Sequence, residues 1–431
     1  MKLILLLIVC VSCFKFGASE KPAHALCENK EEIRSCPKPD TKLFLPRTYP
    51  ARSLYIGYSS DEVHTEFLKL IIDQVQSLEF KPMINILVPR TEDIEAHKAL
   101  QKYFDHKNFD FINLIPTTSN ETVWAQDYME ILFDTKTGFS KIVDLPYAGR
   151  EGESIPVSVA LSCQKQIIEQ RDYTQEDMPG NGDYGGNIEA ISEKILLVGN
   201  NLSNESFDII QNITSQELVE VDVNWLETGH VDELFTTLPN KKEAKACEQT
   251  LLVASPGRAY EVLDGLPKDL KEEKSRFEGY YDDYNVWPVR HQCLYPKNFK
   301  TKECIELRNA NNVYQMNIEG SVQKIEAAFE KLHGCKLSIE RFPQLFIPVN
   351  TFSVYGTYND RAVALNPNSV NNIFFYPKLI LAKQEFLPFQ KSIEAVLKNF
   401  SYEVIYADGK FVHELNGGIH CATNISYGCS P

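Results

Sequence analysis

The middle of the chain reads Trp225-Leu226-Glu227-Thr228-Gly229-His230-Val231-Asp232-Glu233 and, after a polar gap, Leu251-Leu252-Val253-Ala254-Ser255-Pro256. The second stretch is a short apolar run that ends at a proline, which is typical of a buried strand. The first stretch places a histidine and two acidic residues among apolar positions. Apolar runs at Ile84–Val88 and Ile195–Val198 are similar. We therefore predict short buried strands, with ionisable groups in apolar surroundings beside one of them.

Strand-like and helix-like segments alternate along most of the chain. Leu54–Tyr58 is predicted to be a strand, and Glu66–Val75 has the amphipathic pattern of a helix. The other predicted segments are the strands Phe109–Ile115, Leu218–Val223 and Val404–Tyr406 and the helices Ile94–Phe104, Val322–Leu332 and Ile393–Phe400. Such alternation indicates an α/β domain. The polar region Lys268–Tyr284 is interpreted as an insertion in it.

His230 and Asp232 are separated by one residue, so both side chains would project from the same face of an extended chain. An imidazole beside a carboxylate can act as a general acid and base with its orienting partner, or the two can bind a ligand separately. A lone His-x-Asp is more often a surface pair than a site. The pattern therefore needs support from other segments.

Cys421 follows two glycines in Gly417-Gly418-Ile419-His420-Cys421, and glycine permits tight turns and close approach of the backbone. The thiol is a candidate nucleophile, and a disulfide with Cys429 is the structural alternative. Nine of the 11 cysteines lie after residue 19, so at least one of the nine cannot pair within the chain. The odd number favours a free Cys421.

Trp124 and Asp127 stand in the segment Trp124-Ala125-Gln126-Asp127-Tyr128-Met129-Glu130-Ile131. A flat aromatic face and the two carboxylates of Asp127 and Asp232 suit a guanidinium group, which stacks on aromatic rings and donates paired hydrogen bonds. Each residue alone is ordinary, since tryptophan is usually core and aspartate usually a cap or an ion-pair partner. A fourth polar segment is Gly182-Asp183-Tyr184-Gly185-Gly186-Asn187-Ile188-Glu189.

In this order and spacing, the four segments resemble those of the protein-arginine deiminase family. The resemblance continues in Pro343-Gln344-Leu345-Phe346 and Asn366-Pro367-Asn368-Ser369-Val370-Asn371-Asn372, and it runs from about Ser53 to Asn424. It implies the pentein fold, a five-bladed α/β propeller of ββαβ-like units, as a single catalytic domain over residues 53–431. Residues 1–19 would then be a signal peptide and residues 20–52 an extended leader.

The activity that the resemblance implies is hydrolysis of peptidyl-arginine to citrulline and ammonia through a covalent thiouronium on Cys421. Asp127 and Asp232 would bind the substrate guanidinium, and His230 would transfer protons. Trp124 would stack on the aliphatic stem of the arginine. The expected partners are therefore arginine-containing proteins or peptides.

The resemblance also implies a calcium ion next to the active site. The matching ligand positions are the side chains of Gln126, Glu130 and Glu189 and the carbonyls of Gly185 and Ile188. An oxygen-rich set of this kind suits Ca²⁺. Tyr128 stands where the family has an acidic ligand for a second calcium, so we predict one site.

Three alternatives to this function remain open in the sequence. The segment Gly417–Cys421 also resembles the nucleophile segment of agmatine deiminases, so free agmatine or arginine is the alternative substrate. A catalytically silent pentein that only binds its ligand is the alternative from another class. Zinc binding by His230, His420 and Cys421 is disfavoured, because no metal-ligand pair spacing supports it.

The N-terminus predicts export of the protein. Lys2 precedes the apolar run Leu3–Phe14, and Gly17-Ala18-Ser19 supplies small residues for cleavage. The apolar run is shorter than the roughly 20 residues that a membrane helix needs, so no membrane span is expected. Loss of Lys2 and Lys15 changes the formal net charge from -15 to -17, and this acidic balance argues against nucleic-acid binding.

Disulfides and glycans are expected in an exported protein. The pairs Cys27–Cys36 and Cys293–Cys304 are close enough in sequence to close small loops, the first of which would pin the leader. Six Asn-x-Ser/Thr sequons stand at Asn120, Asn201, Asn204, Asn212, Asn399 and Asn424. The clustered Asn201, Asn204 and Asn212 are the best candidates for glycosylation. Asn424 is expected to be unmodified, because a glycan there would obstruct the site.

Overall fold

The computed structural model describes residues 27–29, 36, 41–59, 62–89, 98, 110–119, 123–146, 154–168, 181–242, 244–271, 291–353 and 356–429. The predicted signal peptide lies outside the described residues. So do the predicted helix Ile94–Phe104, apart from Lys98, and most of the predicted insertion Lys268–Tyr284.

Seven α-helices occur in the described part of the chain. They are α1 (Glu62–Gln76), α2 (Ile155–Cys163), α3 (Asn204–Ile213), α4 (Pro256–Asp264), α5 (Lys302–His333), α6 (Leu387–Leu397) and α7 (Lys410–His413). Three of them begin at a hydroxyl residue whose side chain accepts a hydrogen bond from the backbone N–H three residues on. Ser203, Ser255 and Thr301 thereby satisfy a donor that the first turn of α3, α4 and α5 leaves open.

Nineteen strands accompany these helices within the described residues. They are β1 (Lys42–Leu43), β2 (Ala51–Gly57), β3 (Met83–Val88), β4 (Ile112–Pro116), β5 (Glu130–Asp134), β6 (Phe139–Val143), β7 (Ile167–Ile168), β8 (Ile188–Ser192), β9 (Ile195–Gly199), β10 (Glu217–Val221), β11 (Phe235–Pro239), β12 (Gln249–Ser255), β13 (Ser338–Pro343), β14 (Phe346–Ser353), β15 (Gly356–Ala364), β16 (Ile373–Phe375), β17 (Lys378–Ala382), β18 (Glu403–Ala407) and β19 (Thr423–Tyr427). Most of the central strands are buried along their whole length, as continuous apolar runs predict.

One connection pattern recurs in five of the six sheets formed by the described strands. Two antiparallel strands are followed by a helical segment and by a third strand that pairs parallel to the second. The five triplets are β19-β2-β3, β5-β6-β7, β8-β9-β10, β11-β12-β13 and β16-β17-β18. In the first triplet the C-terminal strand β19 pairs with β2, so the two ends of the chain meet in one sheet.

The hydrophobic core is divided among these units rather than gathered in one place. The largest cluster joins β10–β13 to one face of α5 through residues such as Val253, Ile325 and Phe329. A second cluster packs α1 on β2 and β3, with Ile71 and Ile84 fully buried. The mixed α/β composition predicted from the sequence is thus present in the structure.

Predicted and observed boundaries differ most for α5 and for the leader. The predicted helix Val322–Leu332 is only the last third of α5. The first half of α5 exposes Ile305, Val313 and Met316, which obscures its apolar period. The predicted start of the catalytic domain at Ser53 lies inside β2, and β1 from the predicted leader pairs with β5.

Four disulfides link described cysteines, and Cys421 is free. Of the two pairs that are close enough in sequence to close small loops, Cys293–Cys304 forms. Cys27 and Cys36 do not pair with each other, because Cys27 bonds to Cys163 at the end of α2 and Cys36 bonds to Cys429 after β19. Because Cys429 is bonded to Cys36, the alternative Cys421–Cys429 pair does not form. The leader is therefore joined to two distant parts of the fold instead of closing a loop on itself.

None of the described helices is both long and apolar enough to cross a membrane.

The described sequons fall into two groups. Asn204, Asn212 and Asn399 are exposed. Asn424 is buried, and its amide donates to the Met129 carbonyl at 2.6 Å, so its side chain is inaccessible in the folded protein. Asn201 is a poorer candidate than its neighbours, because its amide donates to the Gly229 carbonyl at 3.0 Å.

Candidate active site

The polar segments singled out in the sequence occupy equivalent places in the fold. Each lies just before the first strand of a triplet: the Trp124, Gly182, Gly229 and Gly417 segments precede β5, β8, β11 and β19. The stretch Asn366–Asn372 precedes the first strand of the remaining triplet, β16. Five loops from five sheets therefore meet in one place, which is why residues far apart in sequence come into contact.

Cys421 is at the centre of these contacts. Its side chain is buried, and the Asn371 amide donates to Sγ at 3.3 Å. The thiol itself donates to Asp232 Oδ2 at 3.7 Å. Burial raises the pKa of the Cys421 thiol well above its usual range, and Asp232 and Asp127 raise it further. The site as it stands therefore holds a protonated thiol rather than a thiolate.

Asp232 is a buried carboxylate whose hydrogen bonding is incomplete. Its Oδ2 accepts from His420 Nδ1 at 2.9 Å, and its Oδ1 has no hydrogen-bond partner among the described residues. Burial raises the pKa of Asp232 to about 7, against a lowering by His230. Burial lowers the pKa of His420 to about 3, so that imidazole is a neutral donor. One buried oxygen thus remains available to a donor from outside.

His230 faces Asp127 across the same space. Its Nδ1 lies 3.7 Å from Asp127 Oδ1, and the ring is fully buried. Neither ring nitrogen has a hydrogen-bond partner in the described part of the chain. His230 and Asp232 do not lie on an extended strand, so the period-two relation of their side chains does not apply. Val231–Glu233 forms a 3-10 turn, and Glu233 accepts from the His230 backbone N–H at 3.3 Å.

Two glycines allow the loops to approach this closely. A Cβ on Gly186 would lie 2.5 Å from His230 Nδ1, and a Cβ on Gly417 would lie 2.4 Å from the Trp124 indole. Real Cβ atoms do not approach other atoms so closely, so a side chain at either position would displace its neighbour. The Gly417 contact places the half-buried Trp124 beside the loop that carries Cys421.

The predicted calcium-binding residues also come together, but around a buried arginine. Gln126, Glu130 and Glu189 line a cavity of about 50 Å³ together with Arg47. Arg47 Nε is 3.3 Å from Glu189 Oε1, which also accepts from the Thr236 hydroxyl at 3.1 Å. In this arrangement the set does not fit a calcium ion, because the ligand oxygens already face cationic or neutral donors.

Gln126 and Glu130 show the same mismatch. The Gln126 amide nitrogen is 3.2 Å from Glu130 Oε1 and 3.4 Å from the Gly185 carbonyl, so a donor rather than a cation faces both oxygens. Burial, followed by Glu189, raises the pKa of Glu130 well above its usual range. No group of three or more His, Cys, Asp and Glu side chains in the described residues is placed to hold a metal. Calcium at this position stays a prediction.

Sequence reasoning missed three residues of this site. Asn371 was part of a motif that carried the resemblance, but its contact with the thiol has no signature of its own. His420 was named only as a neighbour of Cys421, yet it binds Asp232. Arg47 lies in the predicted leader, where no periodicity or motif draws attention to it.

Comparison with known proteins agrees with the arrangement of these loops. The model of the family described as protein-arginine deiminase matches residues 43–429. The chain belongs to the protein-arginine deiminase family. The match begins at β1, inside the predicted leader, which is consistent with the pairing of that strand with β5.

Individual relatives within and near this family are distant. The human protein-arginine deiminase type-3 is 26% identical over 247 residues, which are 53% of this chain and 34% of that protein. The human type-1 enzyme is 25% identical over 218 residues, 49% of this chain and 29% of that protein. The chain thus matches about a third of the length of the curated relatives.

A solved structure of an agmatine deiminase from C. jejuni covers 90% of this chain and 97% of its own, with a TM-score of 0.51 and 13% identity. At this identity the likeness shows that the two proteins share a mixed α/β fold and leaves the substrate open.

Proposed function

We propose that this member of the protein-arginine deiminase family hydrolyses the guanidinium group of arginine in peptides, giving citrulline and ammonia. The observation that carries the proposal is the meeting of a free thiol, Cys421, with Asp127, His230 and Asp232 in a buried cluster, while the other described cysteines are disulfide-bonded. Carboxylates bind a planar cation, and a thiol beside them can attack its central carbon.

Binding of the substrate would complete the electrostatics of this pocket. Asp232 has a buried oxygen without a donor, and the pKa of the carboxyl is raised to about 7 by burial. A guanidinium supplies both a positive charge and N–H donors, so it would stabilise the ionised carboxylate. Trp124 would cover the aliphatic stem of the arginine, where aromatic faces bind cationic side chains well.

The same positive charge would activate the thiol. The pKa of Cys421 is raised by burial, Asp232 and Asp127, so neutralising the carboxylates lowers it again. The thiol proton would pass to a ring nitrogen of His230, and Sγ would form a bond to the guanidinium carbon. The carbon–nitrogen bond would then break as His230 returns the proton to the departing nitrogen, which leaves as ammonia. A cationic thiouronium remains on Cys421.

Hydrolysis would reverse the roles of these groups. His230, again neutral, would accept a proton from water, and the hydroxide would attack the thiouronium carbon. The carbon–sulfur bond breaks, the thiol regains a proton, and the neutral ureido group of citrulline leaves with release of one proton. Asn371, which donates to Sγ at 3.3 Å, would hold the sulfur in place through both steps.

We further propose that the five triplets stand around a pseudo-fivefold axis as a pentein propeller. Two observations support this arrangement: the loops before all five first strands contact one another around Cys421 and His230, and β19 pairs with β2 to join the chain ends. A closed ring of units would bring such loops together at its axis. The axis would then be the active site.

Agmatine or free arginine is the second candidate substrate. The observation in its favour is the shared fold with the C. jejuni agmatine deiminase over 90% of this chain. The family match over residues 43–429 supports peptidyl-arginine instead. Both substrates present the same guanidinium to Cys421. The preference for one of them would therefore depend on residues that contact the rest of the substrate.

Export and glycosylation remain proposals that the described residues support. Four disulfides among nine cysteines beyond residue 19 are typical of oxidising compartments. Asn204, Asn212 and Asn399 are exposed sequons. Mass mapping of glycopeptides from a eukaryotic culture medium tests both points, and recovery of the protein only from cell lysate would contradict export.

The activity is tested by measuring ammonia release from an arginyl peptide, from free arginine and from agmatine. The proposal expects release from the peptide and a loss of at least about 1,000-fold in Cys421→Ser. Ammonia release from agmatine or free arginine but not from the peptide would contradict the proposal and favour the second candidate substrate. Tight binding of an arginyl peptide without ammonia from any substrate would instead indicate a binding protein.

A further inference from the structure

Arg47 is a buried cation that the mechanism does not use. Its side chain is 3% exposed, and its Nη1 donates to the carbonyl and the side-chain oxygen of Asn372 at 3.0 and 2.7 Å. Its Nε lies 3.3 Å from Glu189 Oε1. Its Nη2 is buried and has no hydrogen-bond partner among the described residues.

Arg47 contacts residues of two of the five triplets and lines one cavity with residues of a third. Asn372 belongs to the loop before β16, Glu189 to β8, and the facing Gln126 and Glu130 to the segment that leads into β5. Arg47 comes from the turn between β1 and β2. One guanidinium thus joins the N-terminal segment to loops that carry the site.

The charges around Arg47 are those that a metal ion would otherwise balance. Glu130 and Glu189 are both buried next to a cavity of about 50 Å³, and Arg47 lines the same cavity. Calcium needs 6–8 oxygen ligands at about 2.3–2.6 Å, and a guanidinium beside those oxygens repels it. The Arg47 side chain thus occupies the place where the family resemblance predicts a calcium ion.

We propose that Arg47 is a built-in cation that takes the place of calcium, so the active-site loops of this protein are held together without a metal ion. The arginine acts as a positioning residue: it neutralises Glu189 and fixes the segment that packs against His230. This inference deepens the proposed function, since it concerns the same site. Its test reads calcium binding and thermal stability, so its failure is distinguishable from a failure of the proposed activity.

The first test uses the unchanged protein. We expect millimolar calcium to leave the melting temperature within about 1 °C of its value in chelator, since a ligand that does not bind the native state adds no stability. Calorimetric titration should likewise give no binding that depends on Glu189. A calcium-induced rise in melting temperature that disappears in Glu189→Gln would overturn the proposal.

The second test removes the cation. Arg47→Gln leaves Glu189 buried without its ion-pair partner, and we expect the melting temperature to fall by about 5 °C. The shorter side chain also enlarges the cavity beside Glu130 and Glu189, so calcium should now bind and restore most of the loss. Arg47→Lys keeps the charge and should remain insensitive to calcium.

The matched control is Arg341→Gln, which removes an arginine that pairs with Glu319 at 2.9 Å between β13 and α5, on a more exposed surface. This variant should not respond to calcium. If Arg47→Gln melts like the unchanged protein and ignores calcium, Arg47 is not the cation of the site and the proposal is wrong. If Arg47→Gln does not fold in either condition, the titration of the unchanged protein decides.

Discussion

Asp232 and Glu189 are buried carboxylates of two different triplets, Asp232 in the turn before β11 and Glu189 in β8, and their charges are balanced differently. Glu189 accepts from Thr236 and pairs with Arg47, so its charge is balanced within the chain. Asp232 accepts from a neutral imidazole, keeps one oxygen without a donor, and has a pKa raised to about 7 by burial. The chain supplies a cation to one carboxylate and leaves the other to a ligand. Under the proposed function, this difference separates a residue that supports the site from one that binds the substrate.

The largest effect is expected from Asp232→Asn, with opposite signs for activity and stability. Loss of the carboxylate that faces the guanidinium should lower kcat/KM by about 1,000-fold, or about 4 kcal/mol.

The stability of the same variant follows from linkage. Because the pKa of Asp232 is raised to about 7, the folded protein holds its proton more tightly than the unfolded chain does. The stability that the protonated Asp232 carboxyl contributes is fully present below the pKa of an aspartate in the unfolded chain. It is lost as the pH rises through the folded pKa of about 7. At pH about 8, Asp232→Asn should therefore be more stable than the unchanged protein by about 4 kcal/mol, and at pH about 4 the two should be equal. Urea unfolding at both pH values checks this, and a less stable variant at the higher pH would break the comparison.

Glu189→Gln should act in the opposite direction. It leaves Arg47 as a buried cation without its partner, so the free energy of unfolding should fall by about 3 kcal/mol. The control is Glu319→Gln, which breaks the partly exposed pair with Arg341 and should cost less than about 1 kcal/mol. An equal loss of the free energy of unfolding in the two variants would mean that the buried Arg47–Glu189 pair stabilises the fold no more than the partly exposed pair does.

Ligand affinity should depend on pH through Asp232. In Cys421→Ser, which cannot turn over, agmatine or an arginyl peptide needs an ionised Asp232, whose pKa is about 7. The affinity should therefore rise about tenfold between pH about 6 and pH about 8 and level off above that. Isothermal titration calorimetry measures it. The double variant with Asp232→Asn should show a flat profile, and a tenfold slope that persists there would assign the titration to another group.

The smallest effect is expected at Trp124. Trp124→Leu should raise KM about fivefold with little change in kcat, because stacking on the substrate stem contributes to ground-state and transition-state binding alike. Trp225→Leu is the contrasting variant, since Trp225 stacks on Tyr314 in the core with ring centroids 4.6 Å apart. That variant should lower the melting temperature and leave KM unchanged. An unchanged KM in Trp124→Leu together with a raised KM in Trp225→Leu would mean that the aliphatic stem of the substrate does not stack on Trp124.

The sequence predicted what depends on local pattern. Apolar runs such as Ile84–Val88 and Leu251–Ala254 lie in strands, and the four motifs brought the reactive groups into view. The period of α5 was readable only in its last third, because the first half of that helix exposes apolar residues.

Contacts between distant segments had no signal in the sequence. Cys27 and Cys36 are close in sequence but bond to Cys163 and Cys429, since the path of the leader is set by tertiary packing. Arg47 escaped notice for the same reason. An arginine in a polar leader looks solvated until the fold buries it beside Glu189.

The central claim is that Cys421 attacks a guanidinium held in this pocket. The most direct measurement is the intact mass of the protein after rapid acid quenching of turnover with an arginyl peptide, followed by mapping of the modified residue. We expect an adduct on Cys421 with the mass of the substrate less one ammonia, absent from Cys421→Ser. Turnover in Cys421→Ser at the rate of the unchanged protein, or an adduct on any other residue, would contradict it.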